Sequence, residues 1–324
     1  MNDPNPAGGR EADMELVVTR RVEVAADVVQ LELRSPERSA LIPWTVGAHI
    51  DLILPSGRIR QYSLCGDAGN PDAYVVAVQR QPSGRGGSVE VCDSIATGQL
   101  LTIRGPRNHF PMGDAANYLF VAGGIGITPI SAMIREVESA QRDWTLVYGG
   151  RTADHMPFLD ELTELGGTRV VPVPQDVSGL PDIDELIRNA PAGAAIYCCG
   201  PSPMLAAVES AVESLRDDVT LHIERFVAPD VVDSPRTAFE VELRRSGVTI
   251  AVPPDKSILD VVLDTIGDVD FSCEQGICGA CETKVLGGRP EHNDSLLSEE
   301  ERESNTTMMI CVGRSKTRKL ILDL

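Results

Sequence analysis

A chain of 324 residues, 42% hydrophobic and 24% charged, has ordinary globular composition and enough length for two or three separate cores, which excludes disorder for its bulk. A net charge of −19 excludes a general surface for nucleic acid or for an anionic membrane. Eight cysteines, at 65, 92, 198, 199, 273, 278, 281 and 311, lie too far apart in too long a chain for a disulfide scaffold.

Residues Met1–Asp13 are polar and carry no charged segment followed by an apolar one, so no leader peptide is expected. From Glu15 to about Met112, short β-branched runs alternate with turn signals such as Pro55-Ser56-Gly57. The runs are Glu15–Val18, Val28–Leu33, His49–Leu54, Tyr74–Val78 and Leu100–Ile103. They predict an antiparallel β-barrel over 1–112. Between 113 and 227 strands alternate with helices: Tyr118–Ala122, Trp144–Tyr148, Thr168–Pro172, Ala194–Cys199 and Thr220–Ile223 against Ile130–Ala140, Phe158–Leu165, Ile183–Arg188 and Met204–Leu215. This predicts a doubly wound α/β domain. Its most apolar stretch, Tyr118–Ile134, is interrupted by glycines and a proline and predicts no membrane span. With reduced thiols, the expected location is cytoplasmic.

Residues 228–236, rich in Pro and Asp, predict a linker. A third, α+β unit follows over 237–324, with a hairpin at Phe239–Leu243 and Val248–Val252 and a helix at Ile258–Thr265. Segments 1–112, 113–235 and 236–324 carry −2, −12 and −5, so the acidity concentrates in the middle domain. A basic stretch, Arg314–Lys319, has no role legible in the sequence.

Cys273, Cys278 and Cys281 form C-x4-C-x2-C, and Cys311 follows after 29 residues. That is the plant-type spacing for a [2Fe–2S] cluster. Zinc also takes four thiolates, but structural zinc sites usually present two short cysteine pairs; here three ligands share one loop. The third unit thus resembles a plant-type ferredoxin. Its position after an α/β domain resembles the phthalate dioxygenase reductase family, vanillate demethylase reductases included, over Glu15–Leu324.

A Gly-rich turn follows the Tyr118–Ala122 strand and opens a helix, with Gly123, Gly124, Gly126, Thr128 and Pro129. Helix N-termini supply N–H donors to a pyrophosphate. This turn and the Cys199-Gly200-Pro201 turn with Met204 are similar to the two signature loops of the ferredoxin–NADP reductase superfamily. The resemblance implies that both hold a pyridine nucleotide, with Cys199 at the nicotinamide and Arg151 on the nucleotide. Cys198 reads as a packed core thiol. No arginine cluster stands near Arg151 or Gln175-Asp176 to clamp a 2′-phosphate, which favours NADH over NADPH.

A hydride donor gives two electrons and a [2Fe–2S] cluster takes one, so a flavin is needed between them. Arg60-Gln61-Tyr62-Ser63 resembles the superfamily's R-x-Y-S flavin motif. The likeness implies Arg60 on the flavin phosphate, Tyr62 packing the ring and Ser63 near N5. Gly86-Gly87-Ser88 before a helix implies a phosphate seat, and Val78, Gln79 and Arg80 would line the flavin from a neighbouring strand. Thr128 and Phe226 would border it. The spacing between the two motifs resembles that of the FMN-using reductases, with no obvious insertion for an adenine, which favours FMN over FAD. The five histidines form no metal or nucleophile pattern and read as surface or structural residues.

The expectation is therefore a monomeric reductase component. It would take hydride from NADH onto FMN, with Ser63 and Cys199 at the reacting centre, and pass single electrons through the cluster to a Rieske-type terminal oxygenase. Two alternatives are service to a haem-thiolate monooxygenase and a cluster-based redox sensor.

Overall fold

The computed structural model describes residues 13–227, 236–267 and 269–324. Except for Arg236, the expected linker lies outside the described residues. The chain divides into two compact units, Met1–Arg225 and Phe226–Leu324.

The first unit begins with strands β1 (Met14–Ala25), β2 (Val28–Arg34), β3 (Ala48–Ile53), β4 (Ile59–Ser63) and β5 (Tyr74–Gln79), then helix α1 (Gly87–Ser94) and strand β6 (Leu100–Asn108). All pairings are antiparallel, in the order β4-β3-β6-β1-β2-β5. A bridge between Leu64 and Val76 joins the two edges, closing the expected barrel. β1 outruns its predicted length: Thr19-Arg20-Arg21 interrupts the apolar run, and the half that follows, with Val22 and Val24 alternating around Glu23, is only half-buried. Pairing with β2 continues through it all the same, from Arg21 against Leu31 to Ala25 against Val28.

The α/β part follows as β7 (Asn117–Gly123), α2 (Ile127–Ser139), β8 (Asp143–Gly150), α3 (Leu159–Gly166), β9 (Val170–Pro174), α4 (Gln175–Ser178), α5 (Ile183–Arg188), β10 (Ala195–Cys199), α6 (Ser202–Leu215) and β11 (Thr220–Glu224). Its five strands are all parallel, in the order β11-β10-β7-β8-β9. The chain therefore winds one way from β7 and the other from β10. Between those strands lies the switch point, outside whose carboxyl edge ligands bind in such sheets.

The barrel and the α/β part share one core. Phe110 meets Tyr197 edge-on at 5.5 Å, the Gly113 amide donates to the Tyr197 hydroxyl at 2.7 Å, and Arg135 donates to the Cys65 carbonyl at 2.8 Å. These ties fix where the barrel faces the carboxyl edge of the sheet.

The second unit comprises β12 (Phe239–Leu243), β13 (Val248–Val252), α7 (Ile258–Thr265), β14 (Glu282–Gly287), β15 (Pro290–Glu291), α8 (Glu299–Ser304), β16 (Thr307–Met309), β17 (Arg314–Ser315) and β18 (Lys319–Leu322). Its main sheet, β13-β12-β18-β14-β16, is mixed, with β12 and β18 parallel. A capping box between Ser257 and Asp260 starts α7. The basic stretch acquires a structural explanation at its first residue. Arg314 is buried, lies 5.0 Å over the Phe239 ring, and donates to the carbonyls of Thr237, Pro253 and Lys256. Lys319 pairs with Glu242 at 2.7 Å.

Candidate functional site

At the switch point the ends of β7 and β10 abut so closely that side chains are excluded. A Cβ at Gly126 would overlap the Cys199 carbonyl, and one at Gly200 would overlap Met204 and come within 3.0 Å of the Gly123 amide. A Cβ at Gly123 would come within 2.6 Å of Pro201. These three glycines serve the contact between loops rather than an open approach to a ligand. Gly124 differs: its φ is +54° and nothing stands within 4 Å of its Cβ position, so its backbone is open to a bound group. No side chain caps α2, leaving its N-terminus the donor end an anion needs. Thr128 and Pro129 are buried, and the Thr128 hydroxyl donates to the Ile125 carbonyl at 2.9 Å. Arg151 is exposed just past β8 on the same edge.

Successive residues of a strand face opposite ways, and this separates the two neighbouring thiols. Cys198 sits in the core beneath α5 and α6, where burial pushes its thiol up to about 12. Cys199 faces the core shared with the barrel and stays a neutral thiol, raised first by burial and then by Glu224. Its Sγ lies 4.0 Å from Glu224 Oε2. Ser63, at the end of β4, acts on the same carboxyl, which its hydroxyl pulls down against the larger effect of burial. Burial pushes Glu224 up to about 8. Ser63 and Cys199 are thus brought together through a residue that the sequence reading missed. An acid at the carboxyl end of the last parallel strand was the available signal.

The flavin motif closes on itself. Arg60 donates to the Arg85 carbonyl at 3.0 Å, and its side chain lies where a Gly87 Cβ would be, 2.5 Å from Cγ and Nε. Gly86, at φ +81°, leads into α1 without a side-chain cap. A guanidinium over an uncapped helix N-terminus suits a phosphate. The Ser88 hydroxyl accepts from the Gln81 amide at 3.0 Å. Tyr62 is packed against the core, and burial pushes its phenol up. Gln61 donates to Asp51 at 3.4 Å, within the barrel wall.

The side chains of the neighbouring strand and the residue after it already have partners. Val78 is wholly in the core, Gln79 accepts from Gln81, and Arg80 makes two bonds, 3.0 and 2.9 Å, to Asp93. Phe226 is 36% exposed and belongs to the second unit.

In that unit, pairing of β14 with β16 sets Glu282 opposite Met309. The register brings Cys311 to Cys281, and the Ile310 amide donates to the Cys281 carbonyl at 3.4 Å. Cys273, Cys278, Cys281 and Cys311 are all buried. Cys273 is within hydrogen-bonding reach of Cys278 and Cys311, and Cys281 of Cys311. The Gln275 amide points at Cys273 Sγ at 3.2 Å and the Cys273 amide at Cys278 Sγ at 3.4 Å. Four converging thiols with amides aimed at sulfur fit an iron–sulfur cluster. Met308 and Met309, fully buried, share their core with Cys281 and Cys311.

Each part matches a known family: residues 15–112 the oxidoreductase FAD-binding domain, 120–210 the oxidoreductase NAD-binding domain, and 241–316 the 2Fe-2S iron-sulfur cluster binding domain. The phthalate dioxygenase reductase of Burkholderia cepacia is 34% identical over 96% of this chain and 97% of its own length. The chain belongs to the phthalate dioxygenase reductase family. Within it, the phenoxybenzoate dioxygenase subunit beta of Ectopseudomonas oleovorans is 42% identical over 93% of this chain and 94% of its own. Among solved structures, full-length CYP116B46 from Tepidiphilus thermophilus is 40% identical with a TM-score of 0.80. It covers all of this chain, which spans 44% of that protein. As a phthalate dioxygenase reductase-like protein, the chain is an NAD(P)H-dependent flavin and [2Fe–2S] oxidoreductase of the kind that serves oxygenase systems. No helix among the described residues is long and apolar enough to cross a membrane.

Proposed function

We propose that the protein oxidises NADH, uses FMN as its flavin, and delivers single electrons to a Rieske-type terminal oxygenase. In this reading, residues 1–112 hold the flavin, 113–227 the nucleotide and 237–324 the cluster. Bound flavin supplies the conversion of a two-electron donor into single electrons, and the cluster carries them one at a time. Arg60 and the α1 N-terminus hold the flavin phosphate. Gly124 and the α2 N-terminus take the nucleotide pyrophosphate, while Arg151 contacts the nucleotide from the end of β8. Ser63, Cys199 and Glu224 surround the place where nicotinamide and flavin meet, and Glu224 in its neutral form adds no charge there. Cys273, Cys278, Cys281 and Cys311 hold the irons.

The observation that carries this reading is the convergence of the barrel's Ser63 with Cys199 and Glu224 at the switch point of the sheet. The spacing between the Arg60–Ser63 and Gly86–Ser88 motifs, with no obvious insertion for an adenine, supports FMN, and the absence of an arginine cluster at Arg151 and Gln175-Asp176 in the sequence supports NADH. Relatives named as dioxygenase components support an oxygenase partner of the dioxygenase kind. The likeness to CYP116B46 favours a second reading, service to a haem-thiolate monooxygenase.

Reconstitution with purified oxygenases of both types tests the proposal. NADH-dependent product with a Rieske oxygenase, and a kcat/KM for NADH well above that for NADPH, is the expected result. Turnover with the haem-thiolate enzyme alone would establish the second reading.

A further inference from the structure

Residues 292–302, between β15 and β16, carry buried polar groups that none of the sites above uses. The side chains of His292 and Asp294 are 6% and 1% exposed. Asp294 Oδ1, Ser295 Oγ and Arg302 Nε are buried without a hydrogen-bond partner. Burying such groups unpaired is unfavourable, so the segment must be held in place by other contacts.

Asp294 Oδ2 accepts from the amides of Leu296 and Leu297 at 3.2 and 2.9 Å. Arg302 donates to the Asp294 carbonyl at 2.7 Å and stands 3.9 Å from its carboxylate. From this anchor the segment reaches both ligand-bearing loops. The Ser295 amide donates to the Gly276 carbonyl at 3.0 Å, inside the loop between Cys273 and Cys278. The Asn293 side-chain amide donates to the Val312 carbonyl at 3.1 Å, next to Cys311. Gly276, at φ +69°, is wedged between them: a Cβ there would lie 2.6 Å from Val312 Cγ2 and 2.9 Å from Asp294 Cα.

We propose that residues 293–295, anchored by Arg302, are a splint that fixes the spacing between the three-cysteine loop and the fourth ligand, so that Asn293 and Asp294 are positioning residues for the cluster. The inference rests on the four cysteines being its ligands. Asn293 and Asp294 act through the backbone at Gly276 and Val312. By holding those loops, they set the direction of the amides aimed at sulfur and the ease with which iron leaves.

The test uses the full-length, cofactor-loaded protein and three variants: Asn293→Ala, Asp294→Ala and Asp294→Asn. Iron release to a chelator is followed by loss of cluster absorbance, and the reduced cluster is recorded by electron paramagnetic resonance. Asn293→Ala and Asp294→Ala are expected to release iron at least tenfold faster with shifted g-values, and Asp294→Asn, which keeps an acceptor for Leu296 and Leu297, to stay near wild type. Ferricyanide reduction by NADH, which needs only the flavin half, should be unchanged in all three. Wild-type release rates and g-values in Asn293→Ala and Asp294→Ala would overturn the splint; should Asp294→Ala not fold, Asn293→Ala alone decides. A wild-type protein without an iron–sulfur signal would instead overturn the ligand assignment beneath it.

Discussion

Burial pushes the Glu224 carboxyl from an ordinary 4.5 up to about 8, so at neutral pH it stands protonated beside the Cys199 thiol and the Ser63 hydroxyl. Between pH 4.5 and about 8 the native state holds a proton that the unfolded chain has released. Stability of the first unit therefore falls as pH rises through that window and is greatest below it. Both tryptophans, Trp44 and Trp144, belong to this unit, so their fluorescence reports its unfolding. Denaturant midpoints measured from pH 5 to pH 8.5 should fall in the wild type, and Glu224→Gln should flatten that slope. An unchanged slope in the variant would show that Glu224 does not titrate there. At this scale the sequence singles out a residue where it belongs to a short motif, as with Arg60, Tyr62, Ser63 and the four cysteines. It does not single out Glu224, because its neighbours Ser63 and Cys199 are distant in the chain and only strand order brings them together.

Among the elements, the two Gly-rich turns combine contact and binding in adjacent positions. A methyl at Gly126 meets the rigid Cys199 carbonyl, whereas one at Gly124 meets open space and pays only for a left-handed backbone, about 1–2 kcal/mol. Gly126→Ala should raise the KM for NADH at least tenfold while flavin content stays that of wild type. Gly124→Ala should retain the fold, with a smaller rise. Steady-state kinetics alongside flavin absorbance separates the two, and equal KM values would contradict the distinction. Periodicity gave the bounds of β12, β13 and α7 as they stand, because each carries a clear apolar stripe. It carried no expectation for β14, whose buried face holds only Thr283 and Val285, or for the three-residue β16. Helix α8 has no buried residue and so no stripe; only its capping box, Ser298 with Glu301, marks it.

For the whole molecule, composition and pattern predicted three domains, and three family matches fall in turn along the chain, over 15–112, 120–210 and 241–316. The barrel and α/β part share one core, while the ferredoxin part has its own. Tryptophan fluorescence and cluster absorbance should accordingly report two separate unfolding transitions, and coincident transitions would argue against independent cores. The uneven charge, −12 over 113–235, places most of the acidity away from the cluster unit. The central claim is that electrons enter at the nucleotide site, pass the flavin and leave through the cluster. Anaerobic mixing of NADH with the wild type and with Cys278→Ser tests it most directly. Flavin bleaching in both proteins, with cytochrome c reduction by the wild type alone, is the predicted result; cytochrome c reduction that survives in Cys278→Ser, or a wild-type flavin that NADH fails to bleach, would contradict it.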